Sequence, residues 1–89
     1  MPSAESTIVN KLGLHARAAA KLTHLAGTYN TEIWLSRSGR RVNAKSIMGV
    51  MMLAAGQGSS VLIEADGADA EQAIAALTKL IADKFGEGE

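Results

Sequence analysis

Short β-branched stretches alternate along this chain with apolar segments at helical spacing, glycines fall between them, and that alternation leaves few folds open. Ser6-Thr7-Ile8-Val9-Asn10 reads as a strand ending at Lys11-Leu12-Gly13, where glycine permits a turn. Between Ala16 and Ala26, the residues Ala18, Ala19, Leu22, Leu25 and Ala26 share one helical face, and Gly27 is placed to end the helix. Thr31 to Ser36 alternates as a strand does, and Arg40 to Asn43 returns antiparallel across a turn at Ser38-Gly39. Ser46, an N-cap residue type, opens a short apolar helix of Ile47, Met48, Val50, Met51, Met52 and Leu53 that Gly56 and Gly58 interrupt. Ser60 to Ala65 is a fourth strand. Asp69 with Gln72 three residues later reads as a capping box, opening a helix that carries Ile74, Leu77, Leu80, Ile81, Lys84 and Phe85.

The order βαββαβα predicts the α+β class: a two-layer open-faced sandwich whose four-stranded, mainly antiparallel sheet is covered on one face by three helices. No repeat, low-complexity tract or linker divides the chain, so residues 1–89 read as one domain. Only Met1–Glu5 and Gly86–Glu89 are expected to fray.

A chain of 89 residues has no room for an enclosed active-site cavity and its walls, so any chemistry is expected at the surface. Without cysteine, neither a disulfide framework nor a thiolate metal site holds the domain, which suits a reducing cytoplasm. No segment approaches the roughly 20 apolar residues of a membrane helix. Lys11, Arg17, Lys21, Arg37, Arg40, Arg41 and Lys45 face only Glu32 as acid between residues 6 and 45, although the net charge is zero. Such segregation can steer docking to an acidic surface or nucleic acid, but ordinary solvated faces produce it as well. Three scattered aromatics and neutral total charge argue against a nucleic-acid binder, and Trp34 has no second aromatic beside it.

Two histidines are the main candidates for chemistry, since the chain lacks a phosphate loop of the usual spacing and a paired-carboxylate motif. His24 on the first helix reads as a polar-face residue. His15, in Gly13-Leu14-His15-Ala16-Arg17, stands where a loop enters a helix, next to backbone N–H groups that have no helical partner. Imidazole is a good nucleophile toward phosphorus, and a phosphoryl group on it would meet the positive helix end and the Arg17 guanidinium. A role-free exposed loop histidine fits the same five residues.

Asn10-Lys11-Leu12-Gly13-Leu14-His15-Ala16-Arg17 resembles the active-site motif of the HPr phosphocarriers of the bacterial phosphotransferase system. Asn43-Ala44-Lys45-Ser46-Ile47-Met48-Gly49-Val50-Met51 resembles that family's second motif, and the order of elements agrees across nearly the whole chain. The resemblance implies a covalent phosphoryl relay in the cytoplasm, not an independent catalyst, with no cofactor or metal. Enzyme I would pass a phosphoryl group from phosphoenolpyruvate to His15, and His15 would pass it to a IIA component, with Arg17 balancing the charge. It also implies Ser46 as a regulatory site for HPr kinase/phosphorylase, and a partner-docking patch of Ala16, Ala20, Ile47, Met48 and Met51 on a monomer.

Ile47, Met48, Met51 and Met52 are in any case too many apolar groups for one short helix to bury beneath itself. A purely regulatory interaction module is the alternative, against which His15 and Arg17 are both intact. The chain departs from the family pattern at Ala18, where most members carry proline, and at His24 and Gly27, where many carry lysine.

Overall fold

The structure is a computed structural model that describes residues 1–87. Strand β1 (Ser3–Thr7) leads through an irregular turn to helix α1 (Ala16–Gly27), followed by the hairpin β2 (Glu32–Arg37) and β3 (Arg40–Asn43). Helix α2 (Ile47–Met52), strand β4 (Ser60–Asp66), helix α3 (Ala70–Ala82) and a closing 3-10 turn at Lys84–Gly86 complete it. The sheet has the order β1-β4-β2-β3, with every neighbouring pair antiparallel.

Alternation along the strands decides which face is covered. In β4, Val61, Ile63 and Ala65 are buried while Ser60, Leu62 and Asp66 are exposed, and Ile33 and Leu35 of β2 point the same way as the buried set. These side chains meet Ala18, Ala19 and Leu22 of α1, Val50 of α2, and Ala73, Ile74, Leu77 and Ile81 of α3 in one aliphatic core. The open face carries Trp34, with the Arg41 guanidinium 4.2 Å from its ring centroid and Arg41 Nε 3.3 Å from Glu64 Oε1. Trp34 thus packs on the open face of the sheet. The hairpin turns at Ser38 (φ 51°) and Gly39 (φ 82°), and two successive left-handed residues match the right-handed twist of the flanking strands.

Several details of the elements differ from the sequence reading, β2 and β4 among them, which run Glu32–Arg37 and Ser60–Asp66. The first strand is Ser3–Thr7 and not Ser6–Asn10, because its ladder to β4 runs from Ser3↔Glu64 to Thr7↔Ser60; Ser3 to Glu5 are therefore paired rather than frayed. Gly27 ends α1 as expected, and Thr28 closes the helix by donating from both its N–H and its Oγ1 to the Leu25 carbonyl. Asp69 does cap α3, but its backbone is not extended and its side chain makes no capping bond. Finally, α3 stops at Ala82, and Lys84 and Phe85 lie outside it in left-handed conformation. Of the expected frayed end, Gly86 and Glu87 are folded, and residues 88 and 89 lie outside the described residues.

Candidate functional site

The turn before α1 is built around two residues. Asn10 is fully buried, accepts the Gly13 N–H on its carbonyl at 3.2 Å, and donates its Nδ2 to the Gly13 carbonyl at 2.9 Å. Gly13 has φ +66°, and a Cβ there would lie 2.5 Å from the Ala55 carbonyl oxygen, so both conformation and space require glycine. Leu14 then donates its N–H to that same Ala55 oxygen at 2.9 Å. The tight packing of this turn against residues 55–56 fixes where α1 begins.

His15 is the N-cap of α1, extended at φ −72° and ψ 176°, with no side-chain capping bond. The first helical hydrogen bond runs from Ala19 N–H to the His15 carbonyl at 2.8 Å, which leaves the N–H groups of Ala16, Arg17 and Ala18 without helical partners. Ala18 sits buried in the first turn of α1. Lys11, Leu12, His15, Arg17, Lys21, Gly86 and Glu87 line one depression, bringing three cations and the helix end to the imidazole.

Glu87 is the unanticipated member. Its Oε2 lies 2.6 Å from His15 Nε2, and its Oε1 accepts from Asn10 Nδ2 at 3.1 Å. A carboxylate can only accept, so Nε2 is the donor, and whenever the ring is neutral Nδ1 keeps the lone pair. Partial burial works to raise the Glu87 carboxyl, but hydrogen bonds from His15 and Asn10, with the charges of His15 and Lys21, outweigh it and hold the group below the ordinary glutamate value. The segment is anchored by Phe85, 1% exposed, and by Lys21 Nζ donating to the Phe85 carbonyl at 2.7 Å. A large aromatic between the last helical turn and a glycine was the sequence signal for such an anchor.

The other candidates fall into two groups. Ser46 is the N-cap of α2, its Oγ accepting from Gly49 N–H at 3.1 Å, and it does not line the His15 depression. Ala16 and Ala20 are exposed on α1, and Ile47, Met48, Met51 and Met52 are all exposed on α2, which packs beside α1. Leu12, 65% exposed beside His15, extends the apolar surface and was not singled out from the sequence. His24 is exposed on the polar face of α1. Among the described residues no group of His, Asp and Glu is placed to hold a metal ion, and no helix is long and apolar enough to cross a membrane.

Comparison with known proteins places these features in a family. A family model described as the PTS HPr component phosphorylation site matches residues 2–83. The phosphocarrier protein HPr of Cupriavidus necator is 64% identical over 85 residues, covering 96% of each chain, and that of Pseudomonas aeruginosa is 49% identical over the full length of both. Among solved structures, HPr-C-His from Thermoanaerobacter tengcongensis superposes with a TM-score of 0.94 at 47% identity over 98% of each chain. With a full-length match in sequence and in fold, the chain belongs to the HPr family of phosphocarrier proteins.

Proposed function

We propose that this chain is the relay of the phosphoenolpyruvate-dependent phosphotransferase system in the cytoplasm, taking a phosphoryl group from Enzyme I on His15 and handing it to a IIA component. The observation that carries the reading is the placement of His15 at the N-cap of α1, its side chain free of any capping bond, above three N–H groups that lack helical partners. Nδ1 attacks phosphorus, and the phosphoryl oxygens are received by those N–H groups and by Arg17, which lines the same depression. Because the site is shallow, water is kept out by the docked partner. The exposed apolar side chains of Ala16, Ala20, Ile47, Met48 and Met51 supply the docking face, one that successive partners share most simply on a monomer.

Ser46 is the regulatory position in this reading, a substrate of HPr kinase/phosphorylase. A phosphate on its Oγ stays at a helix N-terminus, where negative charge is favoured, and adds charge next to the apolar residues of α2. Control is then electrostatic repulsion or mismatch at the docking face, with the fold intact.

The test is incubation with phosphoenolpyruvate and Enzyme I followed by intact mass at neutral pH, beside a His15→Ala variant that keeps Ser46. One acid-labile phosphoryl group on the wild type and none on the variant is the expected result. A wild type that gains none removes the relay reading.

A further inference from the structure

We propose that α2 is an oxidation-sensitive docking helix: a peroxide converts the exposed thioethers of Met48, Met51 and Met52 to sulfoxides, which weakens partner docking and leaves the fold intact. The inference rests on the reading of α2 as part of the docking face.

The argument starts from where sulfur lies in this chain. The sequence has four methionines and no cysteine, so every sulfur is a thioether, and three of the four fall within Met48–Met52. Met48, Met52 and Met51 are 70%, 57% and 38% exposed, whereas Val50 and Leu53, which fasten the helix to the core, are buried. An oxidant in solution therefore reaches the outward sulfurs without any opening of the fold. The bonds that hold α2 in place run through other groups. Its first turn is closed by Gly49 N–H on Ser46 Oγ, and its end by Arg37 Nη1 donating to the Leu53 carbonyl at 3.0 Å and Arg40 Nη1 to the Met52 carbonyl at 3.4 Å. The fourth methionine supplies a contrast. Met1 is 67% exposed, but it precedes Pro2, whose carbonyl receives the Ala65 N–H beside the β1 edge of the sheet, while α2 packs on α1 and on β3 at the opposite edge.

The step needs only the oxidant. A sulfur lone pair bonds to one oxygen of hydrogen peroxide as the O–O bond breaks, and the departing hydroxide takes the proton left on the transferred oxygen and leaves as water. The thioether is oxidised by two electrons and the peroxide is reduced. A polar, chiral side chain then stands where a flexible apolar one was. A methionine sulfur is a weak acceptor that gives up water readily, so Met48 and Met52 can be covered by an apolar partner surface. A sulfoxide oxygen holds water strongly, and covering it without a donor carries a desolvation cost. In the free chain the same oxygen stays in solvent, so folding is not penalised. The charge of α2 is unchanged, which separates this control from phosphorylation at Ser46.

The test treats the full chain with hydrogen peroxide, maps sulfoxide by peptide mass, and measures Tm, Enzyme I affinity by titration, and phosphoryl acceptance. A variant carrying Met48→Leu, Met51→Leu and Met52→Leu together keeps apolar side chains of similar volume but offers no sulfur on α2. In the wild type, sulfoxide on α2 lowers Enzyme I affinity by about tenfold, Tm stays within about 2 °C, and methionine sulfoxide reductases restore the affinity. In the variant, treated and untreated chains bind alike, although Met1 is oxidised in both proteins. Sulfoxide at all three positions with unchanged affinity overturns the inference, as do resistance of α2 while Met1 oxidises, an equal loss in the treated variant, and a fall in Tm of several degrees. In each of those cases an untreated wild type that accepts the phosphoryl group keeps the relay reading. An untreated wild type that neither binds Enzyme I nor accepts the group overturns the relay reading and this inference with it.

Discussion

Replacing Phe85 by alanine tests whether the C-terminal turn is part of the fold or an appendage. The side chain is 1% exposed and belongs to the cluster built by Ile8, Leu22, Leu77 and Ile81. Truncating a buried phenylalanine costs about 3 to 5 kcal/mol when the site cannot collapse. Here the chain has a second option, because the turn lies at the end of the described residues and can let go. Letting go relieves left-handed backbone at Lys84 and Phe85, roughly 1 to 2 kcal/mol for each, and frees chain entropy of similar size per residue. It also gives up the bonds from Lys21 to the Phe85 carbonyl and from Asn10 and His15 to Glu87. The loss observed is the smaller of the two costs, so we expect about 3 kcal/mol, the lower end of the range. In urea, with a slope near 1 kcal/mol per molar for a chain of this size, the midpoint falls by about 3 M. The slope discriminates between the two responses: it is unchanged if the turn stays docked over a cavity and falls if the turn is released. A loss below about 1 kcal/mol would refute the reasoning, since no core phenylalanine is truncated so cheaply.

Four further outcomes follow from the same structure. Gly13→Ala meets both a left-handed φ of +66° and the Ala55 oxygen 2.5 Å from its Cβ, and should lose about 2 to 4 kcal/mol in chemical denaturation, with a displaced His15 seen as slower phosphoryl acceptance. Ser46→Ala removes the bond from Gly49 N–H and should lose about 1 kcal/mol, a fall of roughly 4 to 8 °C in Tm. Met48→Ser, at a side chain 70% exposed, should leave Tm within a degree or two while weakening Enzyme I docking by about tenfold in a binding titration. Glu87 has a depressed folded-state pKa, so the stability it contributes is fully present above the ordinary glutamate pKa of about 4.3 and is lost as pH falls through the lower folded value. His15, Asn10 and Lys21 face it, so an acid titration should show their resonances moving with the Glu87 carboxyl below pH about 4.

The parts of the fold legible in the sequence are those set by side-chain period and by local turn chemistry. Ile33 and Leu35 against Trp34 gave the buried and open faces of β2, and Ser38-Gly39 supplied a pair that accepts positive φ. Ser46 three residues before the backbone N–H of Gly49 is a local relation, and it was readable as a cap. What escaped depends on partners far away along the chain. β1 begins at Ser3 because β4 offers a ladder as far as Glu64, and nothing in Ser3-Ala4-Glu5 announces that pairing. Asp69-Ala70-Glu71-Gln72 has the residues of a capping box, but the φ of −101° and ψ of 18° at Asp69 turn its carboxylate away from the first helical N–H groups.

The histidine and the glutamate that meets it show the same division at the candidate site. His15 stood out because its setting is local: a glycine turn, a helix start and an arginine two residues on, all within Gly13 to Arg17. Glu87 is 72 residues away, and its position is decided by whether the helix continues through Phe85 or breaks before it. Extended as a helix, the sequence would carry Lys84 and Phe85 along the α3 face and leave Glu87 in solvent. Broken at Ala82, with two left-handed residues, it folds the phenylalanine under α1 and brings the carboxylate to Nε2. Helical periodicity is blind to that choice, because both outcomes bury an aromatic. Local preference disfavours the break, since neither lysine nor phenylalanine adopts positive φ readily. The bonds that favour it come from Lys21 and Asn10, both more than 60 residues away along the chain. A carboxylate placed on the His15 ring by tertiary contact, against local preference, therefore leaves no mark in the local pattern of the sequence.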